Sequence, residues 1–288
     1  MIKDFFIPIK ITENRTVNFL QLKNKQYFNL LKFIQNQDFN NLNDYFNSII
    51  FELIIDKTEY SNLNFIDKLI ILLTLRSICI APDIEFESKD KIKFSKKIDI
   101  YSIYKQLETI QLKDIADFSN IVVGFNIPRE LYYPSFDTTI EDCIEYITID
   151  NETIFFSKLD KQTKKEYINN LPGTIFTKAK QFFDNLENLL NRYPLIKEDK
   201  NFNLEQIDLS LFKNTGFGLL SSVFKDSLLN FYNLMYIFTN KIHASLSDYY
   251  ELTPAESTLM LNLYIKEQEE IKKANETKSV PLGKNVAK

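Results

Sequence analysis

The chain lacks several residue types on which common chemistries depend. It has no tryptophan, one histidine, two cysteines and five glycines. The glycines are Gly124, Gly173, Gly216, Gly218 and Gly283. Gly216-Phe-Gly218 has neither the third glycine of a dinucleotide fingerprint nor the trailing Lys-Ser/Thr of a phosphate loop, so a turn before a helix is the better reading. His243 has no second histidine at metal spacing, and a zinc site needs three or four ligands. Cys79 and Cys143 lie in apolar, periodic segments. They read as buried free thiols in a reducing compartment rather than as a disulfide framework. No Gly-x-Ser-x-Gly elbow is present.

Charge is limited in kind. The net charge is −4, and among 35 basic residues the only arginines are Arg15, Arg76, Arg129 and Arg192. Nucleic-acid binders usually carry a basic, Arg-rich face. The one basic cluster, Lys89, Lys91, Lys93, Lys96 and Lys97, suits a solvated hairpin edge that discourages pairing. The carboxylate pairs Glu141-Asp142, Glu198-Asp199 and Glu269-Glu270 sit in no apolar pocket pattern that would separate two pKa values for acid/base work. The longest apolar run, Leu69 to Leu73, is far short of a membrane span, and the start has no long apolar stretch of a signal peptide. These absences predict no catalytic residue, cofactor, metal, small-molecule substrate, nucleic acid or membrane.

What is abundant is aromatic and aliphatic: 25 Phe, 15 Tyr and 44% hydrophobic residues over 288 positions, enough for a sizeable core. The surplus of Ile, Asn and Lys is read as AT-rich coding pressure. Phe5–Ile11 and Val17–Leu22 read as strands, and the period changes to helical from Lys23. Asn64 is a plausible N-cap for an almost wholly apolar helix that ends before Pro82, with Asp67 in its first turn. Arg76 reads as the one charge interrupting that buried helix. It either complements the helix dipole or forms a buried ion pair with a carboxylate elsewhere. Residues 84–94 predict a hairpin, 98–110 a short helix, 121–127 a strand, 139–147 a helix and 153–156 a strand. Ile175, Phe176, Ala179, Phe182, Phe183, Leu186, Leu189 and Leu190 form one helical stripe. Residues 191–213 are loop-like, and 219–238 predict a long helix. Thr253-Pro254-Ala255-Glu256 has the signature of a capping box opening a last helix. The apolar residues of that helix stop at Ile265 with Ile271 beyond, so it is expected to leave the core and enter solvent or meet a partner.

Several stretches then resemble, in order, segments of one family. Phe65–Ile80 is similar in Asp67, Leu75, Arg76 and Ser77, although Ala81-Pro82 replaces the expected glycine. Lys23–Leu31 precedes it, and Asp142–Ile147, Tyr167–Phe183 and Asp226–Tyr232 follow, with Lys225 where a histidine is expected. The Thr253–Glu256 box and the Lys/Glu-rich tail close the series. Together they resemble baseplate hub subunits and hub assembly proteins of T-even-type phages and their cyanophage relatives. Some relatives carry a Cys-x-x-Cys that is absent from 191–217 here. The motif residues carried over, in structural roles, are Asp67, Arg76, Phe182, Phe183, Asp226, Tyr232 and Glu256.

The resemblance implies a non-enzymatic hub component or hub assembly factor of a contractile tail, in the virion or in the host cytoplasm during assembly. Its partners would be other baseplate and hub proteins, with the helix at 254–274 as the docking arm. The alternatives are a tail-assembly chaperone missing from the virion, or an unrecognised helical enzyme or host-takeover factor. The expected fold is α+β and predominantly helical. The strands near the N-terminus, at 84–94 and at 121–127 are expected in one small antiparallel sheet, with the helices from 174 onward as a bundle. The expected division is a mixed domain at 1–200, a helical region at 201–274 and a tail at 275–288.

Overall fold

The computed structural model describes residues 5–12, 14–36, 39–87, 93–97, 113–131, 136–191, 223–224 and 226–278. The fold is α+β and mostly helical, with antiparallel strands in the N-terminal half and helices at the C-terminal end. The expected helix at 98–110, the tip of the 84–94 hairpin, the Gly216-Phe-Gly218 turn and nearly all of the 191–213 stretch lie outside the described residues.

The chain opens with a hairpin, β1 (Phe6–Thr12) and β2 (Arg15–Leu20). Strict alternation buries Ile7, Ile9, Ile11, Val17 and Phe19 on one face. Helices α1 (Asn24–Asn36), α2 (Phe39–Leu53) and α3 (Phe65–Cys79) follow. Helix α3 begins as its sequence predicts. The Asn64 side chain accepts from the Asp67 N–H at 2.9 Å, and the Asp67 carboxylate accepts from the Asn64 N–H at 3.1 Å. This reciprocal cap satisfies two N–H groups that a helix start leaves open.

Among the described residues the strands form three sheets rather than one. β1 and β2 pair alone; β3 (Asp83–Glu87) and β4 (Lys93–Lys97) pair alone. β5 (Asp114–Phe118), β6 (Ile121–Phe125), β7 (Ile144–Ile149) and β8 (Glu152–Phe155) make a four-stranded sheet in that order. The end of α2 closes the inner edge of β2: Phe19 bridges Ile54, and the Ile55 N–H donates to Asn18 O at 3.0 Å.

The helix expected over 139–147 is also corrected. Helix α4 (Phe136–Cys143) stops at Cys143, and β7 begins at the next residue. Ile144, Ile147, Thr148 and Ile149 are β-branched and favour the pleated surface. Asp150 and Asn151, both at positive φ, make the two-residue turn into β8 that such hairpins prefer. The Tyr146 ring fills the space that a side chain at Gly124 would need.

Helix α5 (Lys161–Asn169) leads to α6 (Gly173–Asn191). The α6 stripe of Ile175, Ala179, Phe182 and Phe183 packs on the four-stranded sheet with Val123, Phe125 and Ile147. The helices from 174 onward are therefore not one bundle. Val223, Phe224, α7 (Leu228–Asn240) and α8 (Leu246–Glu251) instead share a core with α1–α3 and the first hairpin. The long helix expected over 219–238 is interrupted, because Ser227 caps α7 by accepting from the Asn230 N–H at 3.3 Å. The last helix, α9 (Pro254–Lys278), runs for 25 residues.

Candidate interaction surface

The C-terminal helices are held against α1 by a buried polar seam. Asn24, the first residue of α1, donates its backbone N–H to Leu252 O at 2.8 Å. Its side-chain amide donates to Tyr249 O at 2.9 Å and to Ser257 Oγ at 2.5 Å. One turn on, the Tyr27 hydroxyl donates to Asp226 at 3.3 Å. Burial, with Asp226 as the next cause, pushes the Tyr27 phenol well above its usual range. Phe28 stacks on Phe231 at 4.9 Å and meets Tyr232 edge-on at 5.5 Å. Arg76 donates from Nε to Val223 O at 3.0 Å.

Three of the motif residues, Arg76, Asp226 and Tyr232, thus meet at this seam. Glu256 sits beside it and completes the expected capping box: it accepts from the Thr253 N–H at 2.7 Å while its own N–H donates to Thr253 Oγ1 at 3.1 Å. Asp67 lies at the other end of α3, its carboxylate 3.6 Å from Arg15 Nη1. Phe182 and Phe183 are in the sheet core, where Phe182 stacks on Phe125 at 5.7 Å. The structure does not bring the seven together, and each has a structural contact.

Arg76 is not the sole charge buried in α3. Lys68 is 2% exposed. Its ammonium donates to Asn47 at 2.8 Å, lies 3.8 Å from Glu130 and sits over the Tyr60 ring at 5.3 Å. Burial holds its pKa down against the pull of Glu130. Sequence periodicity missed it because Lys stems cover apolar surface as aliphatic residues do. Burial raises Asp67 above the ordinary carboxylate value, opposed by the Asn64 N–H and Arg15.

Burial also lifts the Cys79 thiol to about 11 and the Cys143 thiol well above its usual value. Such thiols are poor nucleophiles. His243 is exposed at φ 61°, in the bend that closes α7. Among the described residues no group of three or more His, Cys, Asp or Glu is placed to hold a metal ion, and no helix is long and apolar enough to cross a membrane.

Exposed apolar side chains gather on the C-terminal helices. Ser257, in the first turn of α9, is buried, but Leu259 and Leu263 are 61% and 60% exposed. They lie four positions apart and so share a face. Met260, Ile265 and Ile271 are exposed further round and along the helix. On α7, Leu229, Tyr232 and Tyr236 face outward. Exposed apolar side chains gathered in this way mark interaction sites more often than isolated ones do.

The family model of the T4 bacteriophage base plate protein matches residues 5–195. No curated protein and no solved structure matches the chain. The match covers the first hairpin, α1–α3, the four-stranded sheet and α6, the elements that carry Asp67, Arg76, Phe182 and Phe183. The chain belongs to the T4 bacteriophage base plate protein family.

Proposed function

We propose that the protein is a baseplate hub component or hub assembly factor, which acts by binding other baseplate proteins during contractile tail morphogenesis and catalyses no reaction. The observation that carries this reading is the course of α9. Its first turn is fixed by the Thr253–Glu256 box and by Asn24 on Ser257, after which Leu259 and Leu263 stand in solvent. A rigidly anchored helix with an uncovered apolar face suits helix-in-groove docking. The charged residues beyond, Lys266 to Lys273, would form the polar rim that surrounds such contacts.

The test is co-expression with the other baseplate proteins of the same genome, followed by purification. Co-migration with one of them supports the reading, and migration alone in every combination overturns it. Mass spectrometry of purified particles then separates the two roles. Stoichiometric presence identifies a subunit, and absence identifies a chaperone-like assembly factor.

A further inference from the structure

Among the described residues the chain has two hydrophobic cores. One is shared by the first hairpin, α1–α3 and the C-terminal helices, the other by the four-stranded sheet, α4 and α6. Residues 126–131 leave β6 and cross between them. Ile127 and Leu131 are buried in the first core, where Leu186 joins them from the end of α6. These contacts hold the two parts together, but apolar attraction has no direction.

The polar contacts of the crossing do have direction. The Phe65 N–H donates to Pro128 O at 2.8 Å. Asn47 of α2 donates its amide to Glu130 at 2.6 Å and accepts from the Lys68 ammonium of α3 at 2.8 Å, with Glu130 3.8 Å from that ammonium. Behind the loop, Asp142 of α4 accepts from the Arg129 and Glu130 N–H groups at 2.5 and 3.3 Å. Asp142 thus ties the Glu130 backbone to the sheet part, while Asn47 and Lys68 tie its side chain to the helical part. The Lys68 side chain is 3% exposed, and that of Glu130 stands at the rim, 41% exposed. Burial lowers the Lys68 pKa despite Glu130 and Asp142, and Arg129 adds to the fall. The site as a whole therefore favours the neutral amine, and the charge is a net cost to the fold. Buried pairs can often be replaced by apolar residues without loss, whereas removing one partner alone destabilises.

We propose that the Lys68–Asn47–Glu130 cluster is an orientation lock, which fixes the angle between the four-stranded sheet and the helical core and adds no net stability. It sets how the sheet is presented relative to α9, whatever α9 binds.

The test places spin labels on the full chain at Lys25→Cys in α1 and Glu152→Cys in β8, both exposed; the native Cys79 and Cys143 are buried. With the cluster intact, pulsed electron double resonance should give one narrow distance. Glu130→Gln leaves the ammonium without that carboxylate, and should lower the melting temperature and lose the narrow distance. Adding Lys68→Met removes the buried charge altogether. The double variant should melt at or above the temperature of the intact cluster and still lack the narrow distance. A narrow distance retained in the double variant would show that Ile127, Leu131 and Leu186 set the angle alone. Melting as low as that of Glu130→Gln would show that the cluster serves stability. Either result overturns the proposal, as does a broad distance with the cluster intact. The double variant decides the question even where Glu130→Gln does not fold.

Discussion

Asn24 and Ser257 stand 233 positions apart and meet at 2.5 Å in a buried contact. With the Asn24 bonds to Leu252 and Tyr249, it ties the start of α1 to both sides of the α8–α9 junction. The seam makes the C-terminal helices part of the core built by α1–α3. Asn24→Ala should therefore lower stability by about 1–3 kcal/mol, the range for leaving buried polar partners unmet. Urea denaturation measures this, and a change below a few tenths of that range would contradict it.

Tyr249 is fully buried against Phe231 and Phe238, and its hydroxyl has no hydrogen-bond partner among the described residues. Tyr249→Phe keeps the ring and removes a hydroxyl that gains nothing from burial. The substitution should raise the melting temperature, with a gain of about 1 kcal/mol. A clear loss of stability would show that the hydroxyl has a partner.

His243 adopts a left-handed backbone at φ 61°, and the chain closes past it with the Ala244 N–H donating to Phe238 O at 3.0 Å. Glycine takes this conformation without a Cβ clash. His243→Gly should leave binding intact and raise stability by up to about 1 kcal/mol. Lost binding with the fold retained would give the single histidine a functional role.

Asp67 titrates with a definite sign. Its pKa in the folded protein lies above the ordinary carboxylate value, chiefly through burial, so the folded state holds this proton more tightly than the unfolded one. Its contribution is favourable at low pH and is lost as pH rises through the raised value. Asp67→Asn should remove that component. The stability of wild type relative to the variant should fall between strongly acid and neutral pH. A difference that rises with pH would mean that Arg15 and the Asn64 cap outweigh burial.

The local parts of this architecture could be read from the chain. The capping residues at Asn64, Asp67, Thr253 and Glu256 bond within one helical turn, so their spacing alone announces them. The α6 stripe shows in the same way, because one face packs on one sheet. β7 was hidden because Ile140, Cys143, Ile144 and Ile147 also fit a helical period, and only pairing with β6 and β8 decides between the two. The covering of the β2 edge by Ile54 and Ile55 is a long-range contact that no local pattern encodes, and none encodes the division of the described strands among separate sheets. Asn24 reads as an ordinary polar residue at a helix start; its role needs Tyr249, Leu252 and Ser257 from the far end of the chain.

The most direct measurement is the affinity of the purified chain for its co-purifying baseplate partner, with and without the α9 face. Leu259→Glu with Leu263→Glu places two charges on exposed positions, so folding and melting should be unchanged. Docking through α9 predicts a loss of binding by about tenfold or more. Wild-type affinity in this double variant, with the partner still bound, would contradict docking through α9.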